Sequence, residues 1–146
     1  MQDLPHHYVV SADAKAVGNV VLATSGVADL VSAPPAQFGG PGDQWSPESL
    51  LVASVSDCFI LTFRAIARAS KLEWDSLTCS TEAVLEQVDR VTQFTAFNVT
   101  ATLTVPAGTD ESKAQRLLEK SEQLCLVTNS LKAGSHLEAT VQISAA

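Results

Sequence analysis

From Ser46 to about Ser70 the chain reads as one helix that is apolar nearly all round. A helix of that kind has no side suited to water and must be buried. Ser46-Pro47 opens it with a hydroxyl cap and a proline at the first helical position, where a backbone N–H would have no partner anyway. The run Leu50-Leu51-Val52-Ala53-Ser54-Val55-Ser56-Asp57-Cys58-Phe59-Ile60-Leu61 carries one charge, Asp57. That charge leaves the uninterrupted apolar stretch too short for a bilayer, so no membrane crossing is expected. The remainder of the chain must then supply surfaces that cover the helix.

Those surfaces read as β structure. Residues 76–88 form a long strand, and residues 94–105 alternate Phe97, Val99, Ala101, Leu103 and Val105 with Asn98, Thr100, Thr102 and Thr104. A last strand sets Leu137, Ala139, Val141 and Ile143 against His136, Glu138, Thr140 and Gln142. This half-polar alternation predicts antiparallel sheets with one face covered. Nearer the start, His7-Tyr8-Val9-Val10 and Val20-Val21-Leu22-Ala23 are short β-type runs, with turns near Gly18-Asn19 and Ser25-Gly26. The Pro/Gly-rich stretch from Ala33 to Asp43 is a loop, either flexible or shaped around something. Thr109-Asp110 caps a second helix whose stripe is Ala114, Leu117, Leu118, Ser121 and Cys125. The order strands, helix, strands, helix, strand gives the α+β class. At 146 residues and 46% apolar content, the chain is expected to form a single domain over 1–146 with its own core.

With 9 basic against 16 acidic residues and a net charge of −7, a nucleic-acid partner is not expected. Met1-Gln2-Asp3-Leu4-Pro5-His6-His7 lacks the basic and apolar regions of a signal peptide, and the expected compartment is cytoplasmic. There, three cysteines favour thiol chemistry over a static disulfide framework. The plain reading of Cys58 and Cys125 is still packing, since free cysteine is among the most buried residue types. Cys79, alternating with Thr78 and Ser80 in a strand, reads as structural. No Cys-x-x-Cys or His-x-x-x-His pair occurs, and His6, His7 and His136 lie far from the cysteines, so no metal is expected. His136 falls on the polar face of a strand without an evident orienting acid, which argues against a Cys–His–acid hydrolase.

Two longer patterns change the balance. Gly39-Gly40-Pro41-Gly42-Asp43-Gln44-Trp45-Ser46-Pro47-Glu48-Ser49-Leu50-Leu51, with Cys58-Phe59 ten residues after Glu48, resembles the first signature of the OsmC/Ohr family. These are osmotically inducible and organic-hydroperoxide-resistance proteins. The stretch Cys125-Leu126-Val127-Thr128-Asn129-Ser130 is similar to the family's second signature, and the resemblance runs over essentially the whole chain. It implies an OsmC/Ohr-like α+β fold, with antiparallel sheets wrapped around a long central apolar helix in an intertwined homodimer. It also implies a cysteine-based peroxidase without metal or flavin.

Carried over by position, the resemblance makes Cys58 the peroxidatic thiol, Cys125 the resolving thiol and Glu48 the acid after the motif proline. Lys15 stands where the family has a catalytic arginine, and Leu126 where it commonly has proline. Arginine presents a fixed fork to a carboxylate and a thiolate together, whereas lysine presents one mobile charge. The implied chemistry reduces an organic hydroperoxide to its alcohol through a Cys58 sulfenic acid and a Cys58–Cys125 disulfide, which an external dithiol, typically lipoyl-type, reduces. Phe38, Trp45 and Phe59 would suit an apolar substrate. Ten residues of helix separate Glu48 from Cys58 by about 15 Å and turn them to different faces. One straight helix therefore cannot join them, and an active site at a homodimer interface is expected. The alternative readings are a ligand-binding or structural dimer, or a redox sensor, for which Lys15 and Leu126 are the support.

Overall fold

Near the amino terminus three short strands pair as an antiparallel meander: β1 (Ser11–Asp13), β2 (Val20–Ala23) and β3 (Leu30–Ser32). The computed structural model describes residues 1–145, and contacts divide the chain into two compact units, Met1–Leu50 and Leu51–Ala146. The meander belongs to the first. The apolar run His7-Tyr8-Val9-Val10 is not a strand, contrary to expectation. Pairing begins at Ser11↔Ala23, after which the partner chain turns away through Thr24 to Gly26. The Thr24 hydroxyl donates to the Val9 carbonyl at 2.9 Å in place of a ladder bond. The Pro/Gly-rich loop carries one 3-10 turn, Ala36–Phe38, and folds back so that Gly40 N–H donates to the Pro35 carbonyl at 3.0 Å. A Cβ at Gly40 would meet the Pro34 carbonyl oxygen at 1.7 Å, so this loop is shaped and only glycine fits there.

Helix α1 runs Pro47–Ala69, as the cap and apolar pattern predict. Its start is a reciprocal serine cap: the Ser49 N–H donates to Ser46 Oγ at 3.0 Å, and the Ser46 N–H donates to Ser49 Oγ at 2.9 Å. With 23 residues α1 is, by length and composition alone, apolar enough to cross a membrane. The charge of Asp57 does not therefore exclude a crossing on composition. The fold uses the helix otherwise: Val55, Phe59, Phe63 and Ala67, one every four residues, are buried in the core of the second unit.

That core lies on one face of a three-stranded sheet, β4 (Ser76–Val88), β5 (Val91–Val105) and β6 (Ser135–Ile143), in the order β4-β5-β6. β4 and β5 are an antiparallel hairpin closed by Asp89 and Arg90, both at positive φ, as a tight two-residue turn requires. β5 and β6 run parallel, which corrects the expectation of purely antiparallel sheets. The cause is the connection. After β5 the chain crosses through helices α2 (Glu111–Leu124) and α3 (Leu126–Asn129), which return it to the end of the sheet where β5 began. Asp110 caps α2 by accepting from the Lys113 N–H at 3.1 Å, and Lys113 Nζ donates to the Ser70 carbonyl at 2.8 Å, just past the end of α1. Val99, Ala101, Leu103 and Val105 of β5 meet Ala114, Leu117 and Leu118 of α2 and the buried stripe of α1 in one cluster.

Phe63 is fully buried and packs edge-on to Trp74, with ring centroids 5.4 Å apart. Phe63→Ala should therefore lower the unfolding free energy by about 3–5 kcal/mol, read by denaturant titration.

Candidate functional site

The three cysteines come from three different elements of the second unit. Cys58 lies mid-way along α1, half-buried, with its Sγ 3.8 Å from Thr62 Oγ1 one turn on. Cys125 lies at the break between α2 and α3 rather than within α2, which corrects its place in the expected helical stripe. Its backbone leaves the helical region (φ −65°, ψ 109°), so the chain turns at this residue. The Cys125 carbonyl accepts the Asn129 N–H at 3.0 Å, starting α3, and its side chain is 1% exposed. Cys79 is on the inward face of β4, which carries Leu77, Cys79, Thr81 and Ala83, and it packs against the core.

Cys58 acts on the Cys125 thiol through hydrogen bonding and charge. Burial pushes the Cys125 thiol up; hydrogen bonds from the Thr128 backbone and hydroxyl oppose this, and the adjacent Cys58 adds to the rise through hydrogen bonding and charge. Burial likewise pushes Cys79 up, against a hydrogen bond from Ser56, while the charge of Cys125 adds to it. Cys125 is thus within electrostatic reach of both other thiols. All three are free. Cys79 is expected to be structural, on the burial tendency of free cysteine and its alternation with Thr78 and Ser80. The period-two alternation that puts it on the covered face was the available signal. Among the described residues no group of His, Cys, Asp and Glu is arranged to hold a metal ion.

The first unit holds the other expected site residues. Lys15 is exposed in the turn between β1 and β2. Glu48, in the first turn of α1, has its Oε1 buried without a hydrogen-bond partner, so Lys15 does not reach that oxygen. An orphaned carboxylate oxygen is costly, and its burial leaves a position where a donor would be strongly favoured. Trp45 is 48% exposed, and its backbone is fixed by a hydrogen bond from the Ala33 N–H to the Trp45 carbonyl at 2.8 Å. A shallow cavity of about 330 Å³ is lined by Gly42, Asp43, Gln44, Trp45 and Ser49. Phe38 is exposed at the end of the 3-10 turn. Phe59, by contrast, is 2% exposed and belongs to the core beneath α1, so it offers no accessible contact surface.

A long apolar helix packed against a mixed three-stranded sheet places the chain in the α+β class. The family model described as OsmC-like protein matches residues 40–140, and the chain belongs to that OsmC/Ohr family. Among curated relatives it is 26% identical over 116 residues to the uncharacterized protein YmaD of Bacillus subtilis (strain 168), covering 75% of this chain and 76% of YmaD. Its fold is similar to an OsmC-like protein of unknown function from Vibrio cholerae, with a TM-score of 0.84 at 15% identity over 92% of this chain and 99% of that one. It is also similar to an organic hydroperoxide resistance protein from Elizabethkingia anophelis, with a TM-score of 0.77 at 20% identity over 98% and 100% of the two chains.

The raised thiols carry a stability consequence. In the unfolded chain Cys79 and Cys125 ionise near the ordinary thiol pKa of about 8.5, whereas the folded chain keeps their protons to higher pH. Between those values the folded state holds more protons than the unfolded one, so stability falls as pH rises. Below about pH 8 the contribution is fully present. The Cys79→Ala/Cys125→Ala double variant should lose less stability than wild type between neutral pH and pH 10, measured by denaturant titration at each pH.

Proposed function

We propose that the protein is a cysteine-based peroxidase that reduces organic hydroperoxides to alcohols in the cytoplasm. The observation that carries the reading is the pairing of a half-buried thiol, Cys58, with a buried one, Cys125, held beside it by the break between two helices. The Cys58 thiolate attacks the distal oxygen of R–OOH, breaking the O–O bond. The sulfur takes that oxygen as sulfenic acid, and a proton completes the departing alcohol. The Cys125 sulfur then displaces hydroxide from the Cys58 sulfenic acid, giving a disulfide and water. An external dithiol of lipoyl-type chemistry reduces that disulfide by exchange.

Burial suits each thiol to its part. Cys58, the more exposed, meets the substrate, while Cys125 stays protonated and shielded until a sulfenic acid forms next to it. Glu48 and Lys15 are assigned as the acid and the cation that orient and stabilise the thiolate and the leaving oxygen, Lys15 in place of the family arginine. Trp45 and Phe38 offer exposed aromatic surface for an apolar peroxide. Phe59 serves as the apolar floor under the helix. A homodimer with its sites at the subunit interface would cover the exposed Leu61 of α1 and supply a donor to the orphaned Glu48 oxygen. The exposure of Lys15 and that orphaned oxygen favour one second reading, a ligand-binding dimer or redox sensor of the same family with little turnover.

Consumption of cumene hydroperoxide with a dithiol reductant separates the two. Wild type should turn over, and Cys58→Ser should fall to the uncatalysed rate. Equal, slow consumption by both would discard the peroxidase. In the same assay Lys15→Arg should raise kcat/KM by up to about tenfold, the value of one improved charge-assisted hydrogen bond. An unchanged rate would remove Lys15 from the site.

A further inference from the structure

On a helix the residue four positions on shares the same face, and its Cα–Cβ bond leans back toward the amino terminus. Thr62 leans in this way over Cys58, and its Oγ1 stands 3.8 Å from the Cys58 sulfur, within hydrogen-bond reach of so large an atom. Both residues are half-buried. A hydroxyl inside a helix commonly turns back to a carbonyl of the preceding turn. Ser54, one turn before Cys58, does so, donating to the Leu51 carbonyl at 2.6 Å, and Ser121 of α2 donates to the Leu117 carbonyl at 2.7 Å. Ser56 is engaged with Thr81 Oγ1 at 2.7 Å. Among the described residues the Thr62 hydroxyl has the Cys58 sulfur as its one partner. The rest of α1 offers that sulfur little. Cys58 lies eleven residues beyond Pro47, whereas the field of a helix start fades within the first turn. Asp57 beside it is exposed and carries the sign that opposes a thiolate.

Resting on the peroxidase reading, we infer that Thr62 is a further catalytic residue, the hydroxyl donor to the Cys58 thiolate. A neutral thiol can give or take this hydrogen bond, but a thiolate can only accept it, so loss of the thiol proton fixes Thr62 as the donor. The bond then becomes charge-assisted, which favours the reactive form over the thiol. The hold must not be too firm. As the S–O bond forms, negative charge leaves the sulfur for the departing alcohol oxygen, and a donor fixed on sulfur opposes that transfer. A neutral hydroxyl meets both demands: it favours the thiolate, and it takes back only part of that gain in lost nucleophilicity. Thr62 keeps its proton throughout and forms no covalent bond. Donor and thiol share one helix, so their spacing is set by the helix itself.

Tryptic peptide 16–64 carries Cys58 and neither other cysteine, so alkylation of this thiol in the reduced protein can be followed by mass. Iodoacetamide at neutral pH reads the thiolate without a peroxidase step. Thr62→Val keeps the side-chain shape and removes the hydroxyl. It should slow alkylation about three- to fivefold, since the lost hydrogen bond is partly offset by a more nucleophilic sulfur. Thr62→Ser keeps the hydroxyl and should stay within about twofold of wild type. Ser54→Ala should alkylate at the wild-type rate. Denaturant titration checks that each variant is folded, and Thr62→Ala repeats the test if valine is not tolerated. With cumene hydroperoxide and a dithiol, kcat/KM should follow the same order. Equal alkylation of Thr62→Val and wild type overturns the assignment. Equal slowing by valine and serine also overturns it, because packing rather than hydrogen bonding would then be at work. If the alkylation order holds while no form of the protein consumes hydroperoxide, the peroxidase reading fails and the Thr62 contact stands.

Discussion

The fold of the second unit depends on covering one helix. Val55, Phe59, Phe63 and Ala67 recur every fourth residue, so their stripe winds slowly about α1 as an i±4 ridge. Large rings at two of these positions fix how deep the helix sits, and Trp74 closes over Phe63. The sheet answers with alternating residues of graded size, from Leu103 and Phe97 to Ala101. Both α2 and the hairpin meet the same buried cluster. Because the helix cannot rotate without exposing a phenyl ring, the residues on its other faces are held at set directions, Cys58 and Ser56 among them.

Much of this architecture was legible from periodicity. The strands around Phe97 and Leu137, the serine start of α1 and the aspartate start of α2 each follow from a local rule that the packing then obeys. Two things were not legible, for a shared reason. Whether β6 runs parallel or antiparallel to β5 is decided by where the crossover through α2 and α3 returns, and strand alternation is blind to direction. The His7–Val10 run has the composition of a strand but lacks a partner beyond Ala23, and pairing is a property of two segments. The place of Cys125 was misread by one residue. A helical stripe continues as a pattern through a point where the backbone itself turns away.

For the thiols, motif spacing singled out Cys58 and Cys125, and Cys58 bears on the Cys125 thiol by hydrogen bonding and charge. Cys79 illustrates the converse. It reads as structural because free cysteine is commonly buried, and its polar sequence neighbours face the opposite side of the strand. The groups that bear on its thiol are Ser56, twenty-three positions earlier, and Cys125, forty-six positions later. The row it shares with Ala101 and Ala139 carries only small side chains across the sheet.

The start of α1 has a consequence for the acid beside it. In the usual reciprocal helix start a glutamate or glutamine three residues after the cap turns back to bond the cap's N–H. Here Ser49 does so with an uncharged hydroxyl, and Ser46 completes the exchange. Both duties at the helix entrance are met by neutral groups. Glu48, between them, is released from holding the helix together and is the one carboxylate of that turn at liberty to serve another molecule.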